Sequence, residues 1–226
     1  VKLELVKQIF PIKIYQQLTD IIFIYEGLHN YTFKAKFKKM DVQLRIIKAQ
    51  WVNHENEIIY IKNNSNFLYV DEKGNYIKKW FDGDTLENMK ITEIIARDII
   101  KTVQKFHQQN NYKNIKIFDW HVLEIKDKKF LQFREKYKNL PLVLSHNDLR
   151  LKNMIKTDLN EIVLIDFEWI RYNFAYFDFA HLHLYCNISK KIILKYTQLD
   201  AQILNDFIYM VSVFNKHWTE NNNQTL

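Results

Sequence analysis

The stretch Ser145-His146-Asn147-Asp148-Leu149-Arg150-Leu151-Lys152-Asn153, continuing as MIKTDLNEIVLID to Asp166, decides how this chain is read. Two short strand-like pieces, Met154 to Lys156 and Glu161 to Ile165, flank the turn formers Thr157, Asp158 and Asn160, so the segment reads as a β-hairpin. A two-residue turn at Leu159 and Asn160 sets Asn153 opposite Asp166. Opposed residues of an antiparallel pair have Cβ atoms about 5 Å apart, so an amide oxygen and a carboxylate placed there can share one hard cation. Mg²⁺ suits them, because it takes oxygen ligands, keeps several waters and completes its shell with substrate phosphates. Asp148, held in the loop just upstream, can then accept the proton of a hydroxyl attacking the terminal phosphate. His146 fits a loop-holding role, by hydrogen bonds, better than a proton carrier.

Working outward, strands come first and helices later. Ile21 to Tyr25 is a short apolar run, and after Gly27 the residues Tyr31, Phe33, Ala35 and Phe37 alternate with polar ones, which is a half-buried strand. In DVQLRII the residues Val42, Leu44 and Ile46 share one face, which leaves Arg45 on the other. WVNHENEIIYI reads as a helix carrying Glu55 and Glu57, and FLYVDEKGNYIKKWF as two strands around a turn. From Thr92 onward, Ile91, Ile94, Ile95, Ile99, Val103 and Phe106 recur at helical spacing, with Asn110 and Asn111 as the stop. KIILKYTQLDAQILNDFIYMVSVFNKHW adds two more helices. The fold class is α+β: a small β-rich lobe over residues 1–82 and a larger helical one over 83–226, with a cleft expected between them.

With 47% hydrophobic and 15% aromatic residues in 226, the chain can bury a sizeable core. Its +7 charge, 33 Lys and Arg against 26 Asp and Glu, is scattered and forms no basic helix or block. That favours a solvated basic surface over a nucleic-acid face, and no nucleic-acid partner is expected. One cysteine, Cys186, permits no internal disulfide and fits a reducing, cytoplasmic setting. The start, VKLELVKQIFPIKIYQQ, lacks the order of a secretion signal, no apolar run nears the ~18 residues of a membrane span, and ENNNQTL reads as a disordered end. Nothing in the sequence indicates an oligomeric state.

HNDLRLKN followed by IDFEW resembles the His-x-Asp-x-x-x-x-Asn and Asp-x-Glu pair of the choline/ethanolamine kinases and the related aminoglycoside phosphotransferases, which share a protein-kinase-like fold. GLHN resembles that family's nucleotide loop, QLRI the strand with its basic phosphate ligand, NHENE the helix with the Glu partner, and KKWF the hinge. The resemblance implies a two-lobed kinase fold and an ATP- and Mg²⁺-dependent phosphotransferase acting on a small alcohol, choline or a similar amino alcohol first. An aminoglycoside or sugar kinase, or a kinase-like protein that binds without turnover, are the alternatives. It further implies Asp148 as the base, Asn153 and Asp166 as metal ligands, Gly27 and Asn30 in the nucleotide loop, and Arg45 on the phosphates, oriented by Glu57. Trp80 and Phe81 would border the adenine.

On the acceptor side the resemblance implies an aromatic cage for a cation, with Trp169 at a cage position. Tyr185 and Trp218 are expected as further walls, and Glu168 is a carboxylate that can reach the ammonium from a different direction. Tyr172, Phe177 and Phe214 are further expected walls. The chain departs from the family where Tyr185 stands in place of an acidic group, where Val211 and Phe214 replace a tryptophan pair, and where His29 replaces a small hydroxyl residue.

Overall fold

A computed structural model describes residues 2–49 and 51–223. The chain divides into two units, Val1–Asp82 and Gly83–Leu226. In the first, helices α1 (Lys2–Ile9) and α2 (Ile12–Tyr15) precede strands β1 (Leu18–Glu26), β2 (Asn30–Phe37) and β3 (Met40–Ile47); α3 (Glu55–Lys62), β4 (Phe67–Val70) and β5 (Tyr76–Lys79) follow. The strands form one antiparallel sheet in the order β1-β2-β3-β5-β4. Phe33, Ala35 and Phe37 of β2 join Val42, Leu44 and Ile46 of β3, Ile77, and Val6 and Phe10 in one core. Lys34 and Lys36, alternating with them, stay partly exposed. Arg45 lies on the other face of β3 and is also buried, because Glu57 of α3 covers it. The helix read from WVNHENEIIYI begins only at Glu55.

The second unit opens with β6 (Gly83–Thr85) and continues with α4 (Glu93–His107), α5 (Lys128–Tyr137), β7 (Leu142–Ser145), β8 (Met154–Thr157), β9 (Ile162–Leu164), β10 (Arg171–Phe174), α6 (Ala175–Tyr185), α7 (Lys190–Tyr196) and α8 (Ala201–Asn223). Thr92, Asp127 and Ser189 cap α4, α5 and α7, each accepting a backbone N–H from the first turn. On α4 the buried stripe is Ala96, Ile99, Ile100, Val103 and Phe106; Ile94, expected on it, is 64% exposed. Trp120, Phe130, Phe174, Phe177, Phe207 and Phe214 pack at the centre of an aromatic core shared by α5, α6 and α8. Phe177 and Phe214 are therefore core residues, not acceptor walls. Helix α8 takes in the first four residues of ENNNQTL, read above as disordered; the last three lie outside the described residues.

β6, β8 and β9 form a three-stranded antiparallel sheet, and β7 pairs with β10. Gly83 has φ 137° and a Cβ there would stand 2.2 Å from the Lys156 carbonyl oxygen, so only glycine lets β6 approach β8. In the hairpin, Met154 faces Leu164 and Lys156 faces Ile162, one residue short of the register expected from the sequence. The loop holds three residues, Asp158 to Asn160, not two. The Thr157 N–H donates to the Glu161 carbonyl at 2.9 Å, the Asn160 N–H to the Thr157 carbonyl at 2.8 Å, and Asn160 adopts φ 61°. A left-handed residue closing a three-residue loop is a standard hairpin solution, and asparagine tolerates it.

Candidate active site

The loop after β7 is built around one buried carboxylate. Asp178, in the first turn of α6 and fully buried, accepts the backbone N–H of His146 on Oδ2 and that of Asn147 on Oδ1, each at 2.9 Å, and the His107 ring at 2.9 Å. Burial pushes its pKa up, but the His107 hydrogen bond and charge, with His146, outweigh that and hold it at about 2. Asn147, at φ 62°, donates from its amide to the carbonyls of Ser145 and Trp169 and accepts from Asn173, which in turn accepts the Trp120 ring N–H at 3.0 Å. The loop is thus fixed from α4, α6 and β10 together.

His146 holds the next residue. Its Nδ1 accepts the Asp148 N–H at 3.3 Å, which makes Nε2 the donor to the Ile165 carbonyl at 2.9 Å. One imidazole therefore ties the loop to the residue before Asp166. The Asp148 carboxylate is pinned at both oxygens: Oδ2 accepts from the Asn153 amide and Oδ1 from Arg150 Nε, each at 2.9 Å. Asn153 gives a second bond from the same nitrogen to the Asp148 carbonyl at 2.9 Å. Two acceptors on the nitrogen fix the amide's orientation and leave its oxygen for other use.

The shifted register changes what Asn153 faces. Its carbonyl accepts the N–H of Ile165 at 3.0 Å, so Ile165 and not Asp166 is its partner. Asp166 is the next residue and leaves the ladder with φ 65°. The expectation that the two ligands are directly opposed is corrected in register, while both remain at the same end of the hairpin. Among the described residues no three of His, Cys, Asp and Glu converge as a metal site. A donor set of one amide oxygen and one carboxylate fits a hard cation that draws its other ligands from water and phosphate.

In the first unit Arg45 donates through both terminal nitrogens to the two oxygens of Glu57 at 2.7 Å, and to the Gly74 carbonyl at 3.0 Å. His54 Nδ1 meets the same Glu57 at 2.8 Å, and Tyr76 lies 4.2 Å under the guanidinium. Burial pushes the Glu57 carboxyl up, and the Arg45 charge, with hydrogen bonds from His54 and Arg45, holds it at about 2. Gly27 donates its N–H to the Asn30 carbonyl at 2.8 Å, and the His29 carbonyl accepts the N–H groups of Lys48 and Ala49. Trp80, half-buried beneath the Lys34 ammonium, donates its backbone N–H to the Asp41 carbonyl at 3.0 Å. Phe81 is also half-buried, with the Lys78 ammonium 5.2 Å from its ring.

Of the expected acceptor residues, Trp169 and Trp218 meet edge to face with centroids 5.2 Å apart. Tyr185 keeps its hydroxyl on the Asn215 amide at 2.9 Å, and its ring carries the Arg150 guanidinium at 4.8 Å. Glu168 is buried. Asp178, His107, Asn147 and Arg150 had no assigned role. A lone carboxylate in the apolar run AYFDFAHLHLY was the signal for Asp178, because a buried acid needs donors.

Residues 109–192 match the family model for choline/ethanolamine kinase. An uncharacterized protein of Metamycoplasma hominis is 31% identical over 228 residues, which cover 99% of this chain and 45% of that protein. The chain thus spans less than half the length of that curated relative. Choline kinase LicA from Streptococcus pneumoniae shares the fold with a TM-score of 0.76 at 13% identity, over 99% of this chain and 92% of that one. A LicA complex with AMP gives 0.68 at 12%, over 98% and 89%. A thermostable mutant of aminoglycoside phosphotransferase APH(4)-Ia, in ternary complex with AMP-PNP and hygromycin B, gives 0.63 at 13%, over 99% and 93%. Residues 109–192 thus resemble the choline/ethanolamine kinases, and the chain shares its fold with LicA and with the aminoglycoside phosphotransferase APH(4)-Ia. The α+β, kinase-like fold expected from the sequence is borne out. Among the described residues no helix is long and apolar enough to cross a membrane.

Proposed function

We propose that this chain is an ATP- and Mg²⁺-dependent kinase that phosphorylates the hydroxyl of a small molecule, with choline or a related amino alcohol as the favoured acceptor. The observation that carries the reading is Asp148, an ordered carboxylate two residues past His146, with Asn153 bound to it and Asp166 one residue beyond Asn153's ladder partner. The acceptor oxygen bonds to the terminal phosphorus as the bond from that phosphorus to the bridging oxygen of ADP breaks. ADP leaves with the electron pair, and the hydroxyl proton passes to Asp148. Mg²⁺ held by the Asn153 amide oxygen and Asp166 would neutralise charge on the phosphates.

Gly27, Asn30, Arg45, Glu57, Trp80 and Phe81 are the proposed nucleotide residues, with Arg45 acting from within its pair to Glu57. Nucleotides in the LicA and APH(4)-Ia structures support that half. The Trp169 and Trp218 rings suit a methylated cation better than a polyhydroxylated sugar, whose lost water would need polar groups to replace it. A buried free Cys186 and a need for ATP fit the cytoplasm. The test is ADP release with purified protein, MgATP and a panel of choline, ethanolamine, aminoglycosides and sugars, with product masses measured. Phosphocholine or phosphoethanolamine is expected. ATP untouched with every acceptor would overturn the kinase reading, and turnover of a sugar alone would overturn the acceptor.

A further inference from the structure

Asn215, half-buried on α8, has its amide nitrogen committed and its amide oxygen open. The nitrogen donates to the Tyr185 hydroxyl at 2.9 Å and meets His181 Nε2 at 3.3 Å, both on α6. Burial pushes the His181 pKa down to about 4, so near neutral pH the ring is uncharged and Nε2 can keep a lone pair for that bond. Two partners on the nitrogen set the amide's orientation. Its Oδ1 accepts no hydrogen bond among the described residues. An amide oxygen held in this way is a fixed acceptor for a ligand's N–H or O–H.

Contacts lead from the proposed base to this amide. Arg150 joins Asp148 to the Tyr185 ring, the Tyr185 hydroxyl joins Asn215, and Trp218, the next turn of α8, meets Trp169. Asn215 therefore belongs to the acceptor end of the proposed site. Little aromatic surface is left there for a cation. The Tyr185 ring already carries the Arg150 guanidinium, Trp218 lies within 15° of parallel to Phe214, and its edge-to-face contact with Trp169 spends a face of one indole on the edge of the other. A quaternary ammonium, with no N–H to donate, depends on such faces. An ammonium that keeps an N–H can donate to Oδ1 as well, in a charge-assisted bond. We infer that Asn215 makes the site selective for amino alcohols whose ammonium retains at least one N–H, over the quaternary choline. In choline a methyl group takes the place of that N–H, covers Oδ1 and strips its water without replacing the bond.

This inference rests on the phosphotransfer reading, and the test separates the two. Turnover with MgATP is measured for ethanolamine, its N-methyl and N,N-dimethyl derivatives, and choline, which present three, two, one and no N–H to one acceptor oxygen. One N–H is enough for Oδ1, so wild-type kcat/KM should hold up to the dimethyl compound and fall about tenfold or more at the last methyl group. Asn215→Leu should lose that step, with choline within about threefold of wild type and the nucleotide KM unchanged. Asn215→Asp, which keeps an acceptor oxygen, should retain it. Calorimetry of the four compounds without nucleotide should give the same order. Choline used by wild type as well as the dimethyl compound overturns the inference, whatever the variants do. So does an Asn215→Leu protein that loses all four acceptors equally, which would make Asn215 structural. Turnover of another alcohol with none of the four would overturn the inference and leave the kinase reading standing. ATP untouched with every acceptor would sink both.

Discussion

The protein contains the same trio twice, once in each unit, in opposite surroundings. Arg45, Glu57 and Tyr76 form a guanidinium, carboxylate and phenol ring set with two 2.7 Å bonds, side chains 2% and 1% exposed, and a 4.2 Å stack. Arg150, Asp148 and Tyr185 form the second, with one 2.9 Å bond, side chains 45% and 21% exposed, and a 4.8 Å stack. The buried pair has lost its water and depends on its own geometry, so each partner must be kept for the other's sake. An ion pair as exposed as the second contributes little to stability. The lone pairs left on its partly exposed carboxylate are instead available to ligands. The same side chains hold a lobe together in one place and present chemistry in the other, and burial makes the difference.

The widest separation of the two trios should come from their carboxylates. Asp148→Asn should lower turnover by roughly 10² to 10⁴, the usual share of a general base, and shift the urea midpoint little. Turnover near wild type would remove Asp148 from the base role. Glu57→Ala should behave in reverse in stability: Arg45 is left buried without its counter-charge, at about 3–5 kcal/mol. The double variant Arg45→Met, Glu57→Leu should recover much of that loss in denaturant melts while nucleotide binding stays impaired. If the double variant is as unstable as the single one, the pair is not held by mutual compensation.

Acid should act on the buried carboxylates. Glu57 and Asp178 are both held at about 2, against ordinary values of 4.5 and 3.8. Their folded pKa values lie below the unfolded ones, so their contribution is fully present above about pH 4.5 and lost as pH falls towards 2, at about 3 kcal/mol for Glu57 and about 2 kcal/mol for Asp178. Urea midpoints should begin to fall below about pH 6.5, where the unfolded chain protonates His181 while burial holds it neutral in the fold down to about 4, and should fall more steeply below about 4.5. Asp178→Asn should flatten that fall. An unchanged slope in the variant would mean that Asp178 does not carry this linkage.

How much of this was legible in the sequence depends on how local the signal was. The hairpin and its polar ends were legible because Thr157, Asp158 and Asn160 mark a turn by their chemistry. Its register was not, because two- and three-residue loops draw on the same residues and a one-residue difference moves every facing pair. The stripe on α4 was misplaced by Ile94, which fits helical spacing but faces solvent. Asp178 and Arg150 were passed over for a different reason. Their partners lie far along the chain, 71 residues away for His107 and Asp178, and 35 for Arg150 and Tyr185, and no periodicity encodes such pairs.

The finest test concerns the ring under Arg150. The sequence leads to the expectation that Tyr185 is an acceptor wall, whereas the structure sets the protein's own guanidinium on it. Tyr185→Leu removes that stack, and a cation on an exposed aromatic face is worth about 0.5–1 kcal/mol. If the ring serves Arg150, turnover should fall about twofold to fivefold with the acceptor KM unchanged, because Arg150 then steadies the Asp148 carboxylate less well. If the ring serves the acceptor, KM for a cationic alcohol should rise and turnover at saturation should stay the same. Tyr185→Phe is the control: it keeps the stack and loses the hydroxyl's 2.9 Å bond to Asn215, so it should cost about 1 kcal/mol of stability and little turnover. A Tyr185→Leu enzyme with both constants at wild-type values would mean that the Tyr185 ring serves neither partner, and the likeness between the two trios would end at Arg150 and Asp148.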